Sequence, residues 1–220
     1  MKHVTGVYTA PRPHWVGDGF PVRSMFSYQS HAEQLSPFLL LDYAGPHTFT
    51  PGNEKRGVGE HPHRGFETVT IVYSGEVEHR DSTGRGGIIG PGDVQWMTAA
   101  SGILHEEYHS EAFAKSGGPL EMVQLWVNLP AKDKLGDAGY RDYAPEEIPR
   151  LTTAEGVAVT VIAGRFDDGE LQQDGAVQRP HTAPQLFDLH LPAGSRLSPR
   201  LADGQRVLLY VYEGELAVNG

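Results

Sequence analysis

The chain has 220 residues, of which 39% are hydrophobic, enough to bury a core larger than that of one average domain. It contains no cysteine, which excludes disulfides, thiolate metal ligands and a cysteine nucleophile. Its formal net charge of −10, without any Lys/Arg cluster, opposes direct binding to nucleic acid. The first residues lack the apolar centre of a signal peptide, and no apolar run is long enough to span a membrane. We therefore expect a cytoplasmic protein.

Short segments rich in β-branched and aromatic residues recur along the chain between Gly, Pro, Asn and Asp. This pattern predicts an all-β barrel or sandwich. In chain order the segments are FLLLDY, FETVTIVY, DVQWMTA, EMVQLWVNL, VAVTVIAG and RVLLYVY. The polar stretch from Lys132 to Arg150, interrupted by Pro145 and Pro149, predicts a short helix and a linker. We therefore expect a first domain over residues 1–131, a linker over 132–150 and a second domain over 151–220.

Two pairs of potential metal ligands have the spacing of neighbours on one face of a strand. His61 and His63 are two positions apart, as are His105 and Glu107. Because side chains at i and i+2 of a strand point the same way, two such strands facing across a barrel would bring three imidazoles and one carboxylate together. These ligands suit Fe(II), Mn, Co, Ni, Cu or Zn and leave coordination positions open for catalysis. Glu67 has the same parity as the two histidines, so the spacing alone leaves the carboxylate ligand open.

Other polar residues near these pairs have simpler interpretations. We expect a rim or surface position for His109 and an ordinary strand position for His79. Trp96 is most simply a core residue, although Trp96 or Gln95 could also line a pocket.

A short internal repeat predicts a second copy of the same fold. The segment Tyr73-Ser74-Gly75-Glu76-Val77 reappears as Tyr212-Glu213-Gly214-Glu215-Leu216. The same offset places Arg200, Ala202 and Arg206 opposite His61, His63 and Glu67, and none of the three can bind a metal ion. The counterpart of His105 would fall beyond Gly220. We therefore expect one metal ion per chain, a second barrel that is incomplete in this chain and a chain that is truncated or incompletely recorded.

The sequence resembles the pirin family of bicupins, proteins with two cupin barrels. The resemblance is dense from Val16 to Pro130 and thins beyond it. The segments that carry it are VGDGFPVRSMF, PFLLLDYAGP, HPHRGFETVTIVYSGEVEHRDS, GPGDVQWMTAASGILHEE and MVQLWVNLP. It implies the metal ligands His61, His63, His105 and Glu107, and it implies that Glu67 either lies just outside the ligands or lines a pocket.

The resemblance also implies an activity, quercetin 2,3-dioxygenase. Such an enzyme would open a flavonol with O2 and release carbon monoxide, with the substrate bound to one divalent ion, expected to be Fe(II). Glu107 could accept the hydroxyl proton of the flavonol. The family resemblance also implies a rival function, in which a regulatory metalloprotein acts through a protein partner. A zinc isomerase or another cupin sugar enzyme would use the same types of ligand.

Overall fold

Strands make up most of the regular structure in a computed structural model, which describes residues 2–179 and 182–219. The regular elements of this part of the chain are β1 (His14–Val16), β2 (Phe20–Ser27), α1 (Tyr28–Leu35), β3 (Phe38–Phe49), β4 (Gly57–His63), β5 (Phe66–Ser74), β6 (Val77–Asp81), β7 (Gly86–Ile89), β8 (Val94–Thr98), β9 (Ile103–His109), α2 (Glu111–Ser116), β10 (Gly118–Asn128), a 3-10 helix (Ala131–Asp133), β11 (Gly139–Tyr143), β12 (Arg150–Thr152), β13 (Ala158–Ala163), β14 (Arg165–Asp167), β15 (Gln172–Asp174) and β16 (Leu186–His190). The predicted all-β class is confirmed. No helix among the described residues is both long and apolar enough to cross a membrane.

Two sheets form the amino-terminal part of the fold. The larger has seven strands in the order β1-β2-β3-β10-β5-β8-β11, and the smaller has four in the order β4-β9-β6-β7. All of their strand pairs are antiparallel. Strands β5 and β8 are buried on both faces over most of their length, and apolar residues predominate in both.

The seven-stranded sheet buries two apolar faces. On one face, Leu120 and Met122 of β10 pack with Val77 and Ile89 of the smaller sheet. On the other face, buried residues pack against the carboxy-terminal part of the chain; they include Val69, Trp96, Leu125, Ile162 and Val177. Because β10 alternates between these faces, its next two positions on the first face, Gln124 and Trp126, point toward the smaller sheet.

The predicted linker contributes a strand to the first part of the fold. Strand β11 pairs with β8 from Gly139↔Thr98 to Tyr143↔Val94, so it forms one edge of the seven-stranded sheet. The expected short helix corresponds to the single 3-10 turn Ala131–Asp133. The domain boundaries remain predictions.

The carboxy-terminal part has fewer paired strands. Strands β12, β13 and β16 form one sheet, and β14 and β15 form a hairpin. Residues 191–219, all of them described, contain no strand, so the strand expected for RVLLYVY is not formed. From Leu208 onward, every second side chain of this segment nevertheless packs on the core of the seven-stranded sheet; these are Leu208, Tyr210 and Tyr212.

Gly57, the first residue of β4, lies against the backbone of β9. A Cβ atom at this position would be 2.1 Å from the carbonyl oxygen of Glu107 and 2.6 Å from the Cα atom of Tyr108. The absence of a side chain therefore allows β4 and β9 to approach closely at this end of the pair.

Candidate metal centre

The two predicted ligand pairs lie on adjacent strands of the four-stranded sheet. Strand β4 pairs directly with β9, and His61 stands opposite His105 in the register. The strands are hydrogen-bonded neighbours, so the expected arrangement across a barrel is replaced by a cross-strand one. A register shift between Val58 and His61 separates two stretches of this pairing. His105 and Glu107 are both buried on the same face of β9, as their spacing predicts.

Three imidazoles converge at one point. His61, His63 and His105 each offer a ring nitrogen, and these atoms all lie within 4.8 Å of one another. The ring centroids are 4.3 Å apart for His61 and His105 and 4.7 Å apart for His63 and His105. His63 and His105 are buried, whereas His61 is half-buried. The group is therefore accessible from the side of His61.

Burial keeps two of these histidines in the neutral form that binds metal ions. Burial, together with the neighbouring His105 and His61, lowers the pKa of His63 to about 3. Burial, together with His61 and His79, likewise lowers the pKa of His105 to about 3. A neutral imidazole has a free lone pair. At neutral pH, therefore, His63 and His105 can bind a cation without first losing a proton.

Hydrogen bonds orient two of the rings. The Nδ1 atom of His61 lies 2.8 Å from the carbonyl oxygen of Gly59, which only accepts, so His61 donates there and its Nε2 atom carries the lone pair. The Nδ1 atom of His105 lies 3.2 Å from Nδ1 of His79, and its Nε2 atom is buried without a hydrogen-bond partner. A buried, unpartnered nitrogen beside two other imidazoles fits a metal ion well.

Glu107 contacts the other side of His105. It belongs with His105 and His79 to a second group whose ligand atoms lie within 4.8 Å of one another. The Nε2 atom of Gln124 donates to both carboxylate oxygens of Glu107, at 3.2 and 3.3 Å. The Nε1 atom of Trp126 in turn donates to Oε1 of Gln124 at 3.2 Å, which fixes the orientation of the amide. The carboxylate is thus held within the barrel by a neutral donor.

Glu67 belongs to neither of these groups. Its carboxylate accepts a 2.7 Å hydrogen bond from Oγ1 of Thr98 and lies 3.7 Å from Nε of Arg179. It shares a face of β5 with Val69, which packs against the carboxy-terminal part of the chain. These contacts lie on the face of the sheet opposite to Gln124 and Trp126, so they do not support the position just outside the ligands that the resemblance implied for Glu67. The parity of His61 and His63 does not extend to Glu67, because Arg64 and Gly65, with φ of +80° at the glycine, interrupt the strand between His63 and Phe66.

Two further histidines of the four-stranded sheet are buried, and His79 lies in strand β6 as expected. His79 is completely buried, and its ring contacts His105 and stacks on Tyr140 with centroids 4.5 Å apart. His109 is also buried, and its Nε2 atom donates to the carbonyl oxygen of Gly19 at 2.9 Å. Of the two positions expected for His109, rim or surface, the surface position is therefore wrong. The spacing within β9 could have indicated its burial, since it shares a face with His105 and Glu107.

Aromatic side chains flank the three imidazoles. The centroids of the Phe66 and Trp126 rings lie 5.0 and 5.1 Å from that of His63, and they lie 4.6 Å from each other. Tyr28 is stacked on Trp126 at 6.5 Å and is half exposed. A planar apolar molecule would find a complementary surface here.

The fold and the site define an all-β bicupin whose first barrel contains a group of histidines able to bind a metal ion. The family model described as Pirin matches residues 19–127. Two proteins of Pseudomonas aeruginosa with the provisional name quercetin 2,3-dioxygenase are 56% and 57% identical to this chain over the aligned residues. The first match covers 100% of this chain and 75% of the relative, and the second covers 86% and 64%. The chain belongs to the pirin family.

A solved structure supports the same fold. The crystal structure of a quercetin 2,3-dioxygenase from Acinetobacter baumannii has 51% sequence identity and a TM-score of 0.80. The match covers 86% of this chain and 64% of that protein. A second crystal structure, of GK1651 from Geobacillus kaustophilus, has 32% identity, a TM-score of 0.57 and coverage of 74% and 59%. The chain thus spans about two thirds of the length of several proteins it resembles.

Proposed function

We propose that this protein is a metal-dependent dioxygenase that opens a flavonol, such as quercetin, with O2. The observation that carries the proposal is the convergence of three ring nitrogens, on His61, His63 and His105, beside an aromatic surface. The names given to the relatives from Pseudomonas aeruginosa and Acinetobacter baumannii support the choice of substrate.

The four proposed ligands are His61, His63, His105 and Glu107. Glu107 stands two positions from His105 on the same face, so a rotation of its side chain away from Gln124 would turn the carboxylate toward the imidazoles. A divalent ion, which we propose to be Fe(II), would supply positive charge for a deprotonated flavonol oxygen and a site for O2 chemistry.

The aromatic surface would orient the substrate. Phe66 and Trp126 present ring faces and edges next to His63, so the planar flavonol can lie against them while its 3-hydroxyl group points at the imidazoles. The apolar walls would also keep water from the reacting ring.

Glu107 is the proposed proton acceptor. Its carboxylate is buried, and the only hydrogen bonds described for it come from the neutral amide of Gln124, so it retains lone pairs for a hydroxyl proton. Transfer of that proton from the 3-hydroxyl group to Glu107 would leave the flavonol as an anion. The complete reaction would then consume one O2 and release one carbon monoxide per flavonol opened.

The test is turnover by protein loaded with Fe(II). We expect loss of flavonol absorbance, with release of carbon monoxide, under air and not under argon. His63→Ala should abolish both signals, whereas His190→Ala, which removes an exposed histidine from β16, should leave them unchanged. Wild-type protein with one bound Fe(II) and no flavonol loss under air would overturn the proposal.

A further inference from the structure

A chain of buried hydrogen bonds leads from His105 away from the three imidazoles. The Nδ1 atoms of His105 and His79 are 3.2 Å apart, and Nε2 of His79 is 3.2 Å from Oδ2 of Asp81. The side chains of His79 and Asp81 have no exposed surface. These three residues are brought together by the pairing of β6 with β9, in which Asp81 stands opposite His105.

We propose that Asp81 and His79 act as positioning residues that set the tautomer of His105, so that its Nε2 atom is free to bind the metal ion. This inference rests on the metal site of the proposed function. We refer to Asp81, His79 and His105 together as the relay.

The positions of the hydrogens in the relay follow from the Asp81 carboxylate, which accepts a hydrogen bond at the end farthest from the three imidazoles. An ionised carboxylate only accepts, so Nε2 of a neutral His79 must carry the hydrogen that bonds to Asp81. The Nδ1 atom of His79 then has a lone pair and accepts from Nδ1 of His105. With its hydrogen at Nδ1, His105 has its lone pair at Nε2, the buried atom without a hydrogen-bond partner. No group gains or loses a proton; only the location of each hydrogen is set.

The other carboxylate oxygen of Asp81, Oδ1, already accepts hydrogen bonds. Oδ1 accepts hydrogen bonds from the backbone N–H of Thr83 at 2.8 Å, from its hydroxyl at 2.6 Å and from the N–H of Arg85 at 3.4 Å. These donors form the turn between β6 and β7. They require an oxygen at that position and therefore leave only Oδ2 to face His79.

This arrangement makes Asp81→Asn an informative variant. The three donors would retain the amide oxygen, so the NH2 group would face Nε2 of His79 and donate to it. The hydrogen of His79 would then move to Nδ1, and that of His105 to Nε2, where it blocks the metal. The substitution changes almost no volume, and its effect should be a loss of Zn(II) affinity of about 10- to 100-fold.

Substitutions of His79 separate hydrogen bonding from packing. His79→Asn places an amide oxygen near the position of Nδ1, where it can still accept from His105, so it should retain most of the affinity. His79→Phe keeps the stacking on Tyr140 but offers no acceptor, so it should lose about 10- to 100-fold. A role limited to packing predicts the opposite order.

The experiment combines two measurements on wild type and variants. Titration with Zn(II) gives the affinity, and long-range proton–nitrogen NMR of labelled histidines gives the tautomer of His105 with and without Zn(II). Asp93→Asn is the matched control, because Asp93 accepts a backbone hydrogen bond from Gly90 in a turn outside the relay. We expect the hydrogen of His105 at Nδ1 in wild type and at Nε2 in Asp81→Asn.

The outcomes also separate this inference from the proposed function. A hydrogen at Nε2 of His105 in the wild type, unchanged affinity in Asp81→Asn, or Zn(II) bound directly to Nδ1 of His79 would overturn the relay. If wild type bound no Zn(II) but the tautomer still changed in Asp81→Asn, the relay would be supported and the proposed metal site would be wrong.

Discussion

The two copies of the repeated segment have the same turn in different surroundings. Gly75 and Gly214 adopt nearly the same backbone angle, with φ of +83° and +79°. Around Gly75, β5 and β6 continue into paired strands, whereas no strand flanks Gly214. The conformation of the glycine is thus shared by the two copies, but a strand also needs a neighbouring strand to pair with.

The two regions also differ in their capacity to bind a metal ion. The positions opposite His61 and His63 in the repeat are occupied by Arg200 and Ala202. Arg200 lies 3.7 Å from Asp167 and contributes a cation where the first copy has an imidazole. The largest expected effect of this contrast is on metal binding: how many ions bind to each chain and which residues hold them.

Replacing His63 or His105 by Ala should abolish stoichiometric metal binding. Each substitution removes one of the three converging imidazoles and leaves a cavity in a buried site. Elemental analysis after loading should give one ion per wild-type chain and none per variant chain. Two ions per chain, or full occupancy in either variant, would contradict the assignment, and His190→Ala provides a control from the carboxy-terminal region.

Glu107→Gln should weaken metal retention, while Glu67→Gln should leave it unchanged. The first removes a proposed ligand, at a cost of about 10- to 100-fold in affinity. The second alters a carboxylate that contacts Thr98 and Arg179, so it should only lower the free energy of unfolding, by about 1 kcal/mol. Metal competition assays and urea titration distinguish the two. Metal loss in Glu67→Gln alone would reverse the choice of carboxylate.

Acid should destabilise the metal-free protein through its buried histidines. The pKa of His63 and of His105 is about 3 in the folded state, below the 6.5 of the unfolded chain. Between these values the unfolded state binds more protons, so stability is full above pH 6.5 and falls as the pH drops toward 3, by a few kcal/mol in total. Urea titrations at several pH values measure this slope. If His63→Phe retained the full slope, His63 would not contribute to it.

Tyr212→Phe should have the smallest effect. The Tyr212 hydroxyl donates a 3.0 Å hydrogen bond to Asp188, and its ring packs beside Tyr43 and Tyr73. Removing the hydroxyl should cost about 1 kcal/mol of unfolding free energy, measured in urea. Tyr8→Phe, at an exposed tyrosine, is the control. Equal stability of both variants would show that this hydrogen bond contributes little to folding.

Local spacing predicted the parts of the site that lie within single strands. His105 and Glu107 share a face because a strand repeats every two residues, and the three imidazoles meet as expected. The same parity does not extend to Glu67, because the strand is interrupted at Gly65.

The remaining features depend on contacts between distant residues. His79 reaches His105 only through the register of β6 on β9, which no local pattern encodes. The hydrogen bond of His109 to the carbonyl oxygen of Gly19 joins residues ninety positions apart in the sequence. Similarly, β11 lies in a polar stretch that resembles a linker, and it is a strand because β8 offers a free edge.

Gly57 connects the spacing of two strands to the geometry of the proposed metal centre. His61 and His63 come from β4, whereas His105 and Glu107 come from β9, so the gap between these backbones sets how far apart the two ligand pairs stand. An alanine at position 57 would collide with the carbonyl of Glu107 itself and widen that gap. A residue without a side chain, and outside the set of proposed ligands, is thus required for the close approach of the two strands that carry those ligands.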